Sequence, residues 1–400
     1  MKVVVQKFGG TSLQTKERRE RSSEHVIQAL QEGYKVVVVV SAMGRSGDPY
    51  ATDTLLSLAE GPLSKREEDQ LLACGETISS VVFSSLLQHK GVASLAMTGA
   101  QAGFRTTEDF GDARIIEVRS EPLEQALQTV DVVVVTGFQG ETVKGVTATL
   151  GRGGSDTSAT AIGAALEAEY VDIFTDVPGI MTADPRVVNN AHTLSVVSYN
   201  EVCNMAYQGA KVIHPRAVEV AMQAKVPVRI RSTMDDDLGT LITSSTSDKR
   251  GGDVSDRPIT GIAHVKDLAQ VTVSTTSIND QAIIFEELAK NGISVDFISI
   301  QTEEVMFTVP LSILEKVKVT IEKLGLHAKA LYPVAKVSAV GAGMSGVPGI
   351  TAKIVTALSA KGIDILQAAD SHTTIWVLVH EKDMNTSVNA LHDKFLSVTK

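Results

Sequence analysis

Apolar and polar positions follow two regimes along the chain. Over residues 1–232, short unbroken apolar runs alternate with longer amphipathic stretches. Val3–Gln6 reads as a buried strand, and Val36–Val40 as a five-valine central strand covered on both faces. Ser94–Thr98, Val130–Thr136 and Val171–Thr175 read as further strands. Between them, Arg18–Glu32, Arg66–His89 and Ser155–Ala168 carry helical periodicity, with Gly33 and Gly91 ending the first two. Strand, loop and helix in repetition predict an α/β domain with a mostly parallel sheet between helix layers. In such a sheet, ligands sit at the C-terminal ends of the strands.

Residues 233–258 break this rhythm: Asp235, Asp236 and Asp237 are followed by Ser, Thr, Gly, Lys and Arg, which predicts a linker. Beyond it the pattern repeats itself. Ala269–Ser274, Asp280–Asn291, Ser294–Ile300, Glu304–Val309, Leu314–Leu324 and Ala328–Tyr332 give the order βαββαβ, the ferredoxin-like plan. A second copy runs through Lys336–Val340, Ile350–Lys361, Asp364–Ala369, Thr374–His380 and Asn385–Leu396, and stops one strand short. The run Ile259–Val265 has no partner in the first copy and is expected to supply that strand. The predicted organisation is therefore an α/β domain at 1–232, a linker at 233–258, a first unit at 266–335, and a second built from 259–265 plus 336–400.

Composition narrows the partners. A net charge of −10 argues against nucleic acid or an anionic membrane. An anionic substrate then needs local cations, and Lys7, Arg152 and Lys211 are candidates. Cys74 and Cys203 have no metal or redox spacing and sit in apolar helical contexts, which predicts buried thiols in a reducing cytoplasm. No apolar run reads as membrane-spanning, and the N-terminus enters a strand without a signal peptide.

Two glycine-bearing loops carry the chemistry. Lys7-Phe8-Gly9-Gly10-Thr11-Ser12 follows the first strand, and Gly151-Arg152-Gly153-Gly154-Ser155-Asp156-Thr157 precedes a helix. Each offers bare backbone N–H groups beside a cation, as an anion site requires. Neither is a Walker A or G-x-G-x-x-G loop. Lys7 would offset charge on a transferring phosphoryl group; the bland alternative is an exposed lysine before a tight turn. In the second loop Ser155 or Asp156 is placed to cap the helix. If Ser155 does so, Asp156 is free to hold lysines in position, and Arg152 supplies a fork for a carboxylate or phosphate. Gly75-Glu76-Thr77 reads as the start of a helix, where a glutamate would be dipole-stabilised and able to bind an ammonium, although a bland N-terminal glutamate is the simpler reading of these residues alone. Thr175–Arg186 is a long loop suited to nucleotide base and ribose contacts, or a plain turn-rich connection. His214 precedes Pro215, is biased away from helix, and is not expected to act as a base.

Together the phrases KFGGTS (7–12), VVVVSAMG (37–44), GE (75–76), GFQG (137–140), GRGGSDTSA (151–159), TDVPGIMTADPR (175–186) and AYQGAKVIHPRA (206–217) resemble those of aspartokinases, members of the amino acid kinase fold family. The two βαββαβ units resemble the paired ACT domains of those enzymes, so the resemblance covers the whole chain. It implies ATP-dependent phosphorylation of the side-chain carboxylate of L-aspartate to 4-phospho-L-aspartate, with Mg2+ held mainly by phosphates and waters. By motif, Lys7, Phe8, Gly9 and Gly10 would hold ATP phosphates, Lys7 and Lys211 would stabilise the transferring group, and Asp156 would orient both lysines. Glu76 would bind the substrate ammonium and Arg152 a substrate carboxylate, with Ser41, Thr52, Gly153, Gly154 and Ser155 alongside. Thr175, Asp176, Met181, Asp184 and Arg186, with Lys211, would line the nucleotide site. The stretch from Gly44 to Leu55 is longer than in several family members, which puts Thr52 in doubt.

Paired ACT units of this kind bind an amino-acid effector, often across a dimer. Ile278, Asn279, Asp280 and Gln281 fall in the first effector loop, which lacks the proline-glycine of many relatives. Met344 and Ser345 fall in the second, which is nearer the family pattern. The phrase Ser371-His372-Thr373-Thr374 resembles a firmicute-type subclass linked to diaminopimelate supply. That favours meso-diaminopimelate as effector, with lysine and threonine open, in a homodimer or higher homo-oligomer. The alternatives are another amino acid kinase fold enzyme, such as a glutamate 5-kinase, or a non-catalytic amino-acid-sensing regulator. The tandem tail and Gly75-Glu76 weigh against the first, and the intact Lys7, Arg152, Asp156 and Lys211 set against the second.

Overall fold

In the computed structural model, the described residues are 1–210, 212–244, 258–344 and 347–397. They divide into two compact units. The first holds 1–180, 193–206 and 212–244; the second holds 181–192, 207–210 and the described residues from 258 onward.

The first unit is built on an eight-stranded sheet in the order Val196–Ser198, Thr240–Thr243, Val228–Ser232, Val171–Thr175, Val3–Phe8, Lys35–Val40, Val132–Thr136, Ser94–Met97. All pairings are parallel except that of Val228–Ser232 with Thr240–Thr243. The valine runs are fully buried because helices cover both faces. Val3–Phe8 is central, flanked by Val171–Thr175 and Lys35–Val40, so their three C-terminal ends open side by side. The strand Thr240–Thr243 corrects the predicted linker at 233–258, whose first part completes this sheet. The rest of that stretch, 245–257, lies outside the described residues. A second, four-stranded sheet joins Ile115–Val118, Phe104–Thr106, Gln139–Thr142 and Thr147–Thr149.

The helix Lys65–His89 starts with a capping box between Ser64 and Glu67. Its length and composition would allow it to cross a membrane, contrary to the expectation that no run does. Its inner stripe, however, buries Asp69, Ala73, Gly75, Glu76, Ser79, Ser80, Phe83, Ser84 and Leu87, as a core helix does. Asp69 is fully buried and accepts from Thr149 N–H (2.7 Å), Thr149 Oγ1 (2.7 Å) and Gly111 N–H (3.0 Å), tying the helix to the smaller sheet. Cys74 is exposed on the opposite side, with Sγ donating to the Gln70 carbonyl, so it is not the buried thiol the apolar context suggested. Cys203 is half-buried, and desolvation pushes its thiol up to about 11.

The second unit is one six-stranded antiparallel sheet with the order Asp296–Ile300, Glu304–Pro310, Gly261–Ser274, Ala328–Val340, Thr374–His380, Gln367–Asp370. Gly261–Val265 pairs with Val340–Lys336, while Leu268–Ser274 pairs with Pro310–Glu304. The pattern suggested separate strands at these places. Instead, Gly261–Ser274 and Ala328–Val340 each run unbroken through both βαββαβ halves, with register shifts between Val265 and Gln270 that re-phase the side chains. Helices Ile278–Lys290 and Leu314–Glu322 cover one half through Ile284, Leu288, Val317 and Ile321. Ile350–Ser359 and Met384–Phe395 cover the other, whose core also takes in Ala183 and Val188.

Candidate active site

Where the strand Val3–Phe8 ends, the chain turns through Gly9 and Gly10 into a short helix, Gly10–Leu13. Gly10 N–H and C=O are crowded by the neighbouring loop: its carbonyl accepts from Gly44 N–H at 2.9 Å. A Cβ on Gly10 would stand 2.6 Å from the Gly44 carbonyl and 2.7 Å from that of Ala42. Both are backbone atoms, so Gly10→Ala must push the Ser41–Gly44 loop aside. We expect it to cut kcat/KM at least ~10-fold and lower the melting temperature by several degrees, since overpacking costs about 1–3 kcal/mol. Steady-state kinetics and a thermal scan of the variant check this.

Beside the turn lies a cleft of about 630 Å3. Lys7, Gly10, Ser41, Thr52, Glu76, Arg152, Gly153, Gly154, Ser155 and Asp156 all line it, so the two glycine loops and the helix Lys65–His89 converge on one space. Lys7 Nζ lies 2.6 Å from Asp156 Oδ1, with side-chain exposures of 12% and 13%. The pair forms because the helix Gly154–Ala165 starts beside the first strand. Its N-cap is Gly153, in the left-handed region at φ 72°, and no side chain caps it. Ser155 is therefore not the cap that the sequence suggested; it sits inside the first turn and is buried. Glycine is required at 153, because a Cβ there would also strike the His214 ring at 2.3 Å. Arg152 is exposed and, among the described residues, makes no ion pair.

Glu76 differs most from expectation. It lies in the middle of the helix Lys65–His89, not at its start, so no helix dipole stabilises it. It is 2% exposed; Oε1 accepts from Ala42 N–H at 3.0 Å, while the buried Oε2 has no partner. Desolvation pushes its carboxyl up to about 7, against the hydrogen bond from Ala42. A buried, half-satisfied carboxylate facing a cleft is a site for a cation.

The remaining predicted residues are more dispersed. Phe8 is fully buried and stacks on Phe174 at 4.8 Å, so only its backbone is available to a ligand. Thr175 Oγ1 donates to Asp176 at the end of the strand Val171–Thr175. Met181, Asp184 and Arg186 belong to the second unit and are not among the cleft-lining residues; Asp184 and Arg186 pair with each other at 2.7 Å. Lys211 lies outside the described residues. His214 is extended at φ −75°, ψ 134° and only precedes the helix Pro215–Ala224.

In the first ACT-like half, Asp280 is consumed by capping: it accepts from Thr276 and Ser277 N–H, and Ser277 Oγ accepts from Asp280 N–H. Ile278 is exposed, Asn279 follows it in the same first turn, and Gln281 donates to the Gln301 carbonyl. In the second half, Met344 lines a cavity of about 800 Å3 with Pro348, Thr351, Asp370, Ser371 and His372. Ser345 lies outside the described residues.

Sequence reasoning missed Arg45, which lines the cleft and pairs with Asp176 at 2.6 Å. It also missed Phe138, a cleft residue at positive φ (70°) whose N–H donates to Ser158 Oγ. The Gly-Phe-Gln-Gly phrase was the available signal for Phe138. For Arg45 there was none.

Comparison with known proteins identifies the family. The model of the amino acid kinase family matches residues 2–232, and that of the ACT domain matches 331–393. Aspartokinase 1 of Bacillus subtilis (strain 168) is 59% identical over 400 residues, covering 99% of this chain and 99% of that protein. Aspartokinase 2 of the same strain is 40% identical over 415 residues, covering 99% and 98%. Among solved structures, E. coli aspartokinase III in complex with aspartate and ADP matches with a TM-score of 0.77 at 25% identity, over 99% of this chain and 100% of that one. The same enzyme with lysine and aspartate gives 0.78 at 26%, over 99% and 100%. The chain belongs to the aspartokinases of the amino acid kinase family.

Proposed function

We propose that the Lys7–Asp156 cleft holds L-aspartate and the terminal phosphates of ATP together and forms 4-phospho-L-aspartate there. The observation that carries this reading is the buried Glu76 carboxylate with its unpartnered Oε2, in the same cleft as the Lys7–Asp156 pair. Glu76 takes the substrate ammonium and Arg152 its α-carboxylate, with Ser41, Thr52, Gly153, Gly154 and Ser155 around it. This leaves the side-chain carboxylate directed at the phosphate cradle of Lys7, Gly9 and Gly10. One carboxylate oxygen attacks the γ-phosphorus in line, the bond to the β,γ-bridging oxygen breaks, and ADP leaves. No proton moves, so a general base is not needed. Two anions must approach, and the dominant contribution is charge offset by Lys7, held in place by Asp156, with Lys211 as a second cation. Thr175 and Asp176, at the end of the strand beside Lys7, serve the nucleotide. Among the described residues, no cluster of His, Cys, Asp or Glu would hold a metal unaided. Mg2+ would accordingly be carried on phosphate oxygens and water, where it neutralises phosphate charge.

The cavity beside Met344 is the proposed effector site of the second ACT-like half. Its room and its Asp370, Ser371 and His372 suit a polar amino acid, and the phrase Ser371-His372-Thr373-Thr374 favours meso-diaminopimelate over lysine or threonine. We further propose a homo-oligomer joined through the ACT-like units, working in a reducing cytoplasm, where an exposed Cys74 and a half-buried Cys203 both stay free. The test is ADP release with and without L-aspartate, then with each of the three effectors. Aspartate-dependent turnover inhibited most by meso-diaminopimelate is expected. Aspartate-independent or absent turnover overturns the catalytic reading, and inhibition by threonine or lysine alone overturns the effector assignment.

A further inference from the structure

Besides Lys7 and Arg152, the cleft has a further cation, Arg45, whose position fits a phosphate chain. Arg45 sits on the loop after the strand Lys35–Val40, and Asp176 directly after the strand Val171–Thr175. These two strands flank Val3–Phe8 on either side, with Phe8 in register with both Val40 and Phe174. The Arg45–Asp176 bridge therefore spans the end of the central strand, over the turn of Gly9 and Gly10. The contacts of that turn agree. Gly10 packs against Gly44, the residue before Arg45, and a Cβ on Gly9 would lie 3.9 Å from the Phe174 carbonyl and 3.5 Å from Lys7 Nζ.

The bridge is built to be exchanged. Its side chains are 65% and 47% exposed, so water screens the pair and it is easily given up. The loop behind it is anchored independently of the guanidinium: Arg45 N–H donates to Asp48 Oδ2 at 2.7 Å, and Gln14 Nε2 donates to the same oxygen at 2.8 Å. The loop end is thus fixed while the Arg45 side chain keeps its freedom. A planar fork beside a glycine turn and a lysine matches the bidentate geometry of phosphate.

We propose that Arg45 is a nucleotide-phosphate ligand, paired with Asp176 in the free protein and transferred to the phosphate chain when nucleotide enters. This rests on the reading that the Lys7–Gly10 turn cradles ATP phosphates. Asp176 is left free by the exchange to meet the ribose side of the same nucleotide. Arg45 thus does two jobs in sequence, bridging to Asp176 and then clamping the phosphates.

The experiment compares ADP with adenosine by calorimetric titration of the full chain, as wild type, Arg45→Ala and Arg45→Lys. Adenosine has the base and ribose but no phosphate. Loss of a charge-assisted phosphate contact is expected to weaken ADP on the order of 10-fold in Arg45→Ala, with adenosine unchanged and partial recovery in Arg45→Lys. The KM for ATP rises in parallel while the KM for aspartate holds. Equal weakening of ADP and adenosine, or an unchanged ADP affinity, overturns the proposal, as does a raised aspartate KM alone, which would mean that Arg45 only supports the loop carrying Ser41 and Thr52. If wild type binds ADP no better than adenosine, the phosphate-cradle reading itself fails, an outcome separate from any effect of Arg45.

Discussion

Lys7→Ala is expected to lose at least ~10^3-fold in kcat while the chain stays folded. Removing one well-placed charge stabiliser costs about 10^2–10^3. Here the loss is compounded, because the variant leaves Asp156, only 13% exposed, as an uncompensated negative charge facing an incoming phosphate. The two effects can be separated. Lys7→Ala with Asp156→Ala removes the repulsion but not the missing cation, so the double variant should recover part of the nucleotide affinity and little of the turnover. Circular dichroism and a thermal scan of each variant check the fold, and ADP release in saturating aspartate checks the rate. Activity within a few-fold of wild type in Lys7→Ala would end the assignment of this turn to the transferred phosphate.

Glu76→Gln should separate stability from function. The carboxyl is raised from its ordinary 4.5 to about 7 in the folded protein. The folded state therefore holds a proton that the unfolded chain gives up, and stability falls as pH rises from about 4.5 to about 7. Glutamine keeps the acceptor for Ala42 N–H and never has to ionise. Above pH 7 the variant should then be more stable, by roughly a few kcal/mol at most and by several degrees in melting temperature. The same change removes the partner of the substrate ammonium, and the KM for aspartate should rise on the order of 100-fold, with that for ATP unchanged. In the wild type, aspartate affinity should improve as pH passes upward through about 7, because the free site must first lose its proton. A variant that is less stable at pH 8, or one that binds aspartate normally, would count against the ammonium role.

Much of this was legible from residue order because apolar burial leaves a clear trace. Val36–Val40 and Val132–Thr136 are central strands, and a five-valine run has few other uses. Val196–Ser198, at the sheet edge, and Thr240–Thr243, beside it, were not legible, since strands of three and four residues carry too short an apolar signature. The site was legible where glycine enforces backbone shape and opaque where partners are distant. The cap of the helix Gly154–Ala165 is a left-handed glycine, so the hydroxyl-cap argument reached a free Asp156 by the wrong route. Glu76 was misjudged because its helix starts well before it, at Lys65, and because its hydrogen-bond partner Ala42 lies 34 positions away. Arg45, set among Ser, Gly, Asp and Pro, has the look of a solvated turn; its partner Asp176 is 131 positions away.

The long strands Gly261–Ser274 and Ala328–Val340 mean that the two ACT-like halves are not cassettes. Ending the chain at residue 335 would take away the partner of Gly261–Val265 and turn an interior strand into a bare edge, open to pairing with other chains. The halves should therefore melt together and protect each other's amides from exchange. A recombinant that swaps one half for a relative's would have to cut through two hydrogen-bonded ladders at once. The duplication visible in the sequence has been welded into a single mechanical part, in which a strand that begins in one half ends in the other.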